Sequence, residues 1–384
     1  MPVDETVSLL TEGYAWLPDR RRRTPTVRTR LLGRRAWCIG GVGAARYFYD
    51  EENVRRHGAL PEPVLSTLFG RGAVHTLDGE EHRSRKEMFL SIMDPAGVAD
   101  LTERVVDVWD QTLRPGRMVL FDEAGRVLTE AVCDWAGIRV APADLPALAA
   151  DLIAMVDGFA TAGPRHLKAR IARRRREKWL ARVADGAVVD VVAKHIEDPH
   201  VRAVELLNVI RPTAALSWFV TFAAHALHRW PEHRESLAAG GDYAVAFAHE
   251  VRRFYPFVPF LAGLAARDLD WLGEEIPEGS LVLLDIHGHN HDPELWPDPY
   301  AFSPGRFLDR AIGPFELVPQ GAGWADDGHR CPGEGIAVSV LAALSERLAR
   351  LDYEVPHQDL TISLRRVPAR PRSGFVLVVP EKPV

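Results

Sequence analysis

The chain has 384 residues, of which 47% are hydrophobic and 26% are charged, and its net charge at neutral pH is -6. This apolar content is enough to bury a sizeable core, which argues against disorder, and the mixed charge argues against a nucleic-acid partner. The three cysteines form no CxxC pair, which argues against a zinc knuckle and a disulfide framework and favours a reducing cytoplasm.

The chain is expected to be soluble. Its N-terminal residues lack the basic and then apolar layout of an export signal. The longest apolar stretch, from Thr213 to Leu227, is shorter than the ~20 residues that a membrane span requires, and it contains His225. A buried helix explains this stretch better than a membrane span.

Hydrophobic periodicity predicts a mostly helical chain. Two alternating runs, 280–284 and 374–379, are predicted to be strands, so that strand content is small and concentrated late. No internal repeat or Gly/Ser linker divides the chain, and we expect one mainly α domain with small β-sheets over residues 1–384. Apolar residues recur every three or four positions, as in helices, in the segments 94–113, 143–160, 203–229, 241–255 and 335–351.

Two arginine clusters interrupt the otherwise mixed charge. They run from Arg20 to Arg23 and from Arg173 to Arg176. Each could contact an acidic partner, but a solvated helix face or turn is the favoured interpretation of a short charge run.

The segment before Cys331 is rich in glycine, and an amphipathic helix follows it at once. Glycines let a backbone approach a flat cofactor closely, and a helix N-terminus stabilises a thiolate through its dipole and free N–H groups. Such a thiolate can bind iron. By itself, however, a lone cysteine before a helix is more often a buried apolar residue than a ligand.

A second motif supports the ligand interpretation. Glu250 and Arg253 lie three residues apart on one face of a predicted helix, and Arg306 follows downstream. In order and spacing these residues and the run His329-Arg-Cys-Pro-Gly resemble the cytochrome P-450 superfamily over nearly the whole chain. The resemblance implies a single-domain helical fold that binds haem b, with Cys331 as the axial iron ligand and with Glu250, Arg253 and Arg306 as a structural cluster. It departs from the usual pattern in the cysteine loop, which lacks the family's Phe and has extra residues before His329.

The centre of the long helix differs from most of that superfamily. Arg211 and Pro212 stand where an acid and an alcohol normally deliver protons to bound dioxygen. A buried guanidinium needs an anion, and either a substrate carboxylate or the nearby Glu205 can supply it. Arg matches a carboxylate with a planar fork, so Arg211 can hold an acid whose own oxygens move the proton of a peroxide. Pro212 removes a backbone donor and is expected to open space over the cofactor.

This combination resembles one branch of the superfamily, the bacterial fatty-acid peroxygenases, which include hydroxylases and alkene-forming decarboxylases. By that resemblance Arg211 anchors the fatty-acid carboxylate, Phe69 and His75 lie near the first carbons of the substrate, and Phe257 and Val258 border the pocket. His75 can donate a proton or a hydrogen bond near the oxidant, which bears on whether the acid is hydroxylated or decarboxylated.

Cationic residues before and within the cysteine loop are expected to hold the haem propionates. Buried carboxylates need such partners. His82 and His329 are the preferred candidates, and Arg85 and Lys86 are further ones.

The sequence thus predicts an enzyme that oxidises fatty acids with hydrogen peroxide and needs no redox partner. The products would be α- or β-hydroxy acids or terminal alkenes. Two alternatives stay open: a conventional monooxygenase that uses dioxygen and redox partners, and a haem-binding sensor or carrier without turnover.

Overall fold

A computed structural model of the chain describes residues 3–183, 185–326 and 328–381. Helices dominate this part of the chain. The α-helices are α1 (Thr6–Glu12), α2 (Trp16–Arg21), α3 (Val42–Tyr49), α4 (Glu62–Leu68), α5 (Gly79–Ile92), α6 (Pro95–Thr112), α7 (Leu120–Trp135), α8 (Leu145–Asp157), α9 (Pro164–Leu180), α10 (Ala187–His195), α11 (Pro199–Arg229), α12 (Arg234–Ala239), α13 (Asp242–Phe254), α14 (Ile286–His289) and α15 (Glu334–Arg350).

The strands form one five-stranded sheet and two sheets of two strands each. In the large sheet the order is β1-β2-β8-β5-β3, with β2 parallel to β8 and the other neighbours antiparallel. The strand β4 pairs with β9, and β6 pairs with β7. The strands are β1 (Val27–Leu31), β2 (Arg34–Ile39), β3 (Val54–Arg55), β4 (Gly116–Val119), β5 (Phe260–Ala265), β6 (Leu269–Trp271), β7 (Glu274–Ile276), β8 (Leu281–Asp285) and β9 (Val376–Val379).

The helix α11 runs through the main hydrophobic core. It is long and apolar enough to cross a bilayer, but 94% of its most apolar window is buried inside the protein. Asp198 caps its first turn, because the carboxylate accepts hydrogen bonds from the amides of His200 and Val201 at 2.7 and 3.1 Å. The buried face of α11 therefore places Arg211 in the interior.

The five predicted helices correspond to α6, α8, α11, α13 and α15, with ends that differ by at most four residues. The two predicted strands correspond to β8 and β9. The expectation that strands are concentrated late is wrong, because β1 and β2 form one side of the main sheet between Val27 and Ile39. In β1 the arginines Arg28 and Arg30 alternate with buried residues, whereas in β2 two arginines precede the buried run 36–39.

Candidate active site

Cys331 lies three residues before α15. Its amide donates a hydrogen bond of 3.0 Å to the carbonyl of Gln320, which closes the glycine-rich loop, and Asp327 in this loop lies outside the described residues. Burial raises the pKa of the Cys331 thiol, while the amide of Gly333 and the side chain of Gln320 favour the thiolate. A buried thiol of this kind becomes a thiolate readily when a metal ion takes its proton's place.

The side chain of Gln320 contacts the sulfur of Cys331, and the sequence did not predict this contact. Its side-chain amide Nε2 lies 3.9 Å from the sulfur, and its Oε1 accepts a hydrogen bond of 2.9 Å from Arg252. Arg252 is fully buried and pairs with Glu334 in the first turn of α15. The amide of Gln320 is thereby oriented with its donor end toward the sulfur.

Arg211 is a buried cation without a protein anion. Its side chain is 6% exposed, Nη2 makes one long hydrogen bond of 3.4 Å to Asn208, and Nε has no partner among the described residues. No carboxylate in the described part of the chain forms an ion pair with it. Burial, together with the nearby charge of Arg173, lowers the pKa of Arg211 to about 9, and Cys331 opposes this shift. The guanidinium therefore lies near enough to Cys331 for their charges to interact.

The nearest candidate for an internal partner is occupied elsewhere. Glu205 Oε1 accepts hydrogen bonds of 2.8 Å from Arg85 Nη1 and from the amide of Val74, and Glu205 Oε2 accepts one of 3.0 Å from Asn208. The pair with Arg85 excludes the internal salt bridge that was the alternative for Arg211. It also gives Arg85 a structural contact that the sequence did not predict.

Phe69 and His75 meet each other beside this cation. Their ring centroids lie 4.3 Å apart, and Phe159 packs on the other side of Phe69 at 5.3 Å. Burial, followed by the charge of Arg211, lowers the pKa of His75 well below its usual range, yet the side chain keeps accessible surface. His75 is therefore a neutral imidazole that can donate a hydrogen bond through its N–H.

Arg173 fixes the segment that carries Phe69. It is fully buried on the inner face of α9, donates to the carbonyls of Leu68 and Phe69, and pairs with Glu177 at 2.6 Å. The sequence grouped Arg173 with a solvated cluster. Its i, i+4 pairing with Glu177 was visible in the sequence, but its burial was not.

Phe257 and Val258 follow α13 and lie half-buried before β5. The ring of Phe257 packs against Phe219 at 4.9 Å and Trp218 at 6.0 Å, both on α11. Pro212 lies inside α11, which continues through it without a break. Because proline has no N–H, the carbonyl of Asn208 loses its helical donor at this point.

His82, Lys86 and His329 converge at the cysteine loop. His82 and His329 stack with ring centroids 3.9 Å apart, and Lys86 donates to the carbonyls of Gly328 and Arg330. Burial lowers the pKa of His82 to about 3, with contributions from His329 and Lys86. His82 Nδ1 and His329 Nε2 are buried without a hydrogen-bond partner in the described chain, although Glu51 lies 3.8 and 3.4 Å from them.

The cluster around Glu250 is fully formed. Arg253 binds Glu250 with two hydrogen bonds of 2.7 Å, and both side chains are completely buried. Arg306 reaches Glu250 at 3.2 Å. Arg253 also donates hydrogen bonds of 2.9 Å to the carbonyls of Asn290 and Pro299. The cluster therefore ties α13 to the segment that leads into the cysteine loop.

These side chains fit a haem. The thiol of Cys331 offers a soft ligand, and the buried, unsatisfied nitrogens of His82 and His329 call for an acceptor such as a propionate oxygen. Arg56, which the sequence did not single out, adds another buried guanidinium with an unsatisfied Nη1 close enough to Asp78 and Glu51 to interact with their charges.

Comparison with known proteins gives a consistent assignment. A model of the cytochrome P450 family matches residues 242–378. Curated relatives include cytochrome P450 71A8 of Mentha piperita, 32% identical over 30% of this chain and 24% of its own, and flavonoid 3'-monooxygenase CYP75B4 of Oryza sativa subsp. japonica, 25% identical over 79% and 58%. The chain thus spans less than two thirds of the length of these relatives.

Solved structures match the whole chain. Cytochrome P450SP alpha (CYP152B1) in complex with (R)-ibuprophen is 39% identical, and cytochrome P450EX alpha (CYP152N1) with myristic acid is 36% identical. In both comparisons the match covers 98% of each chain with a TM-score of 0.94. A variant of cytochrome P450 OleT in complex with arachidonic acid is 33% identical over 100% of this chain and 99% of its own, also with a TM-score of 0.94.

Proposed function

This chain belongs to the cytochrome P450 family, and because its full length matches CYP152 members, we propose that it is a peroxygenase that oxidises fatty acids with hydrogen peroxide. It would act without a redox partner. Two of the matching solved structures hold myristic acid and arachidonic acid, which supports this class of substrate. We propose further that the protein works as one soluble cytoplasmic domain, since α11 is taken up by the core.

The unpaired guanidinium of Arg211 is the observation that carries the proposal. A buried cation without an anion is costly, and here the internal candidate Glu205 is bound to Arg85. A fatty-acid carboxylate would satisfy Arg211 through two parallel hydrogen bonds. Binding of the substrate would therefore also remove the free-energy cost of the unpaired buried guanidinium.

Cys331 would hold the iron of haem b, with His82, Lys86 and His329 toward the propionates. We do not extend this set to Arg85, because its guanidinium is engaged by Glu205. When bound, the haem supplies the oxidising chemistry that the side chains lack, and the thiolate favours cleavage of the peroxide O–O bond.

The substrate carboxylate on Arg211 would do the proton transfer. One of its oxygens would take a proton from one oxygen of hydrogen peroxide and deliver it to the other, which would leave as water when the O–O bond breaks. The remaining oxygen atom would end in the hydroxy acid or, in decarboxylation, in a second water. At the centre of α11, Arg211 and Pro212 stand in place of an acid, and burial keeps the nearby His75 neutral. His75 instead donates a hydrogen bond beside the first carbons, while Phe69 and Phe159 exclude water.

Two outcomes balance with one peroxide. Hydroxylation converts a fatty acid and hydrogen peroxide into an α- or β-hydroxy acid and one water. Decarboxylation converts the same reactants into a terminal alkene, carbon dioxide and two waters.

Product analysis by mass spectrometry tests the proposal. The haem-loaded protein is mixed with hydrogen peroxide and saturated fatty acids of graded length, with no reductase and no reduced nicotinamide. Hydroxy acids or alkenes are expected. Product that appears only with redox partners and dioxygen would indicate a conventional monooxygenase, and tight acid binding without product would indicate a carrier.

Variants of α11 give the matched comparison. Arg211→Ala should lower kcat/KM by at least ~100-fold, because it removes a charge-assisted contact. In the wild type a short added carboxylate should support turnover of a non-acidic substrate, and in Arg211→Ala it should not. Arg202→Ala on the same helix, a partly exposed cation outside the candidate site, should leave kcat/KM unchanged. Full activity of Arg211→Ala on long acids would contradict the anchoring role.

A further inference from the structure

The outer face of α9 is an exposed basic and apolar surface that the proposed reaction does not use. Leu167 and Ile171 are 59% and 54% exposed, one turn apart. A hollow of about 500 Å³ on the same helix is lined by Arg174, Arg175, Lys178, Trp179 and Arg182. Because side chains three and four positions apart share a helix face, Leu167, Ile171, Arg174 and Lys178 form one continuous row, and Arg182 follows in the turn after the helix.

The cations of this row are not neutralised within the protein. Arg174, Lys178 and Arg182 form no ion pair with any carboxylate in residues 3–183, 185–326 and 328–381. Asp151 pairs with Arg175 and Arg176, and Glu177 is turned inward to Arg173. The net charge of the whole chain is -6, so this positive charge is a local feature.

The apolar neighbours decide between classes of anionic partner. A nucleic acid would be matched by cations alone, whereas Leu167 and Ile171 expose branched aliphatic surface beside them. Helices that lie on anionic bilayers combine cations for the headgroups with aliphatic and tryptophan side chains at the acyl boundary. Trp179, which lines the basic hollow, has the amphipathic ring that favours this boundary.

The same helix covers the candidate active site. Arg173 on its inner face holds the carbonyl of Phe69, and Phe159 in the turn before α9 packs on the ring of Phe69. A surface bound to the outer face would therefore lie next to the segment of Phe69, which the proposed function places beside the substrate. A long-chain fatty acid partitions into bilayers, so it would leave the lipid on this side of the protein.

We propose that the outer face of α9 docks on anionic lipid bilayers. Lipid phosphates would bind in the hollow between Arg174, Lys178 and Arg182, and Leu167 and Ile171 would enter the headgroup region. The further step, that the fatty acid is taken from this bilayer, rests on the proposed function. The docking itself does not.

Vesicle sedimentation of the haem-loaded protein tests the docking. We expect binding to vesicles of phosphatidylglycerol and phosphatidylcholine at low salt, weaker binding at high salt, and little binding to phosphatidylcholine alone. The triple variant Arg174→Glu, Lys178→Glu, Arg182→Glu should weaken the apparent affinity at least ~10-fold, because each cation near an anionic surface contributes. The double variant Leu167→Ser, Ile171→Ser should bind more weakly while keeping the salt dependence.

A second triple variant controls for net charge. The control is Arg117→Glu, Arg139→Glu, Arg365→Glu. It makes the same change of net charge at exposed arginines that lie outside α9 and form no ion pair in the described residues, and it should bind vesicles like the wild type. An equal loss in this control, or equal binding of the wild type to neutral vesicles, would overturn the proposal. A duplex DNA arm serves as a further check, since binding of DNA in place of vesicles, lost in the α9 triple variant, would identify the face as a polyanion site instead.

Activity measurements separate the docking from the proposed reaction. The α9 triple variant should turn over a short, water-soluble fatty acid at the wild-type rate and a vesicle-embedded long acid more slowly. If no product forms with any acid but the wild type still binds anionic vesicles, the docking stands and the proposed function fails. If turnover occurs but vesicle binding is absent, the reverse holds.

Discussion

Arg85 pairs with Glu205, and this pair leaves Arg211 available to a ligand. Arg85 Nη1 lies 2.8 Å from Glu205 Oε1, and the Glu205 carboxylate is completely buried on the same helix as Arg211. Burial raises the pKa of Glu205, while its hydrogen bonds to Asn208, Arg85 and the amide of Val74 oppose that shift. An acid six residues from Arg211 is thereby held away from it by a cation of α5.

We expect Arg85→Met to destabilise the protein by about 3 kcal/mol, because it leaves a buried carboxylate unpaired. The released Glu205 would also be free to attract Arg211, so the KM for fatty acid should rise. The double variant Arg85→Met, Glu205→Gln removes both charges and should recover much of the stability and the original KM. Urea unfolding and steady-state kinetics on the three proteins measure these effects. Equal KM values for Arg85→Met and the wild type would show that Arg85 is not needed to keep Glu205 from pairing with Arg211.

Fatty-acid affinity should fall at high pH. Burial and the charge of Arg173 lower the pKa of Arg211 to about 9. Since Arg211 is a cation, it keeps its proton below this value and loses it as the pH rises through it, while the fatty acid stays ionised. The dissociation constant should be nearly constant from pH 7 to 8 and then approach a rise of about tenfold per pH unit above 9.

Spectral titrations of the haem-loaded protein with fatty acid between pH 7 and pH 10 provide the measurement. The bound carboxylate raises the pKa of Arg211, so binding near pH 9 should also take up a proton, which calorimetry in buffers of different ionisation enthalpy detects. The weak binding by Arg211→Ala should show no such pH dependence. A wild-type affinity that stays flat up to pH 10 would contradict the assignment.

The sequence predicted five of the helices and missed others of two kinds: α7, whose buried face is apolar, and α5 and α9, whose buried faces carry charged groups. The missed helix α5 buries His82 and Lys86 toward the cysteine loop, so its apolar residues follow no helical period. The missed helix α9 buries Arg173 between alanines. Periodicity finds a core, and these helices turn charged groups inward where a cofactor and a substrate chamber require them.

Contacts between residues far apart in the sequence were also not predicted. The ion pair between Glu250 and Arg253 was predictable because both residues lie on one helix face. The pair between Arg85 and Glu205 joins residues 120 positions apart, and the contact of Gln320 with Cys331 depends on a loop that folds back on itself. Only the packing of α5 against α11 and the closure of the cysteine loop reveal these contacts.

Breaking the ion pair between Glu250 and Arg253 should lower the free energy of unfolding more than removing Arg306. In Glu250→Gln the fully buried guanidinium of Arg253 loses its anion, and we expect a loss of about 3–5 kcal/mol together with a lower haem content. Arg306→Ala removes a partner that is 11% exposed and 3.2 Å from Glu250, so the loss should be smaller. Denaturant unfolding and the haem-to-protein ratio after purification test this ranking. Equal losses of stability and haem in the two variants would contradict the view that the Glu250–Arg253 ion pair fixes the segment before the cysteine loop.

Cys331 should be the only one of the three cysteines whose replacement alters the iron. Cys38 and Cys133 are buried in the core, where burial raises the pKa of Cys38 and raises that of Cys133 to about 12, whereas Cys331 keeps accessible surface beside Gln320. The wild-type ferrous carbon-monoxide complex should show the absorption typical of thiolate ligation, and Cys331→Ser should lose it together with turnover. Cys133→Ala removes one sulfur from the core and should keep both, at the expense of about 1–2 kcal/mol of stability. A thiolate spectrum that persists in Cys331→Ser would show that another residue ligates the iron and would contradict the assignment of Cys331.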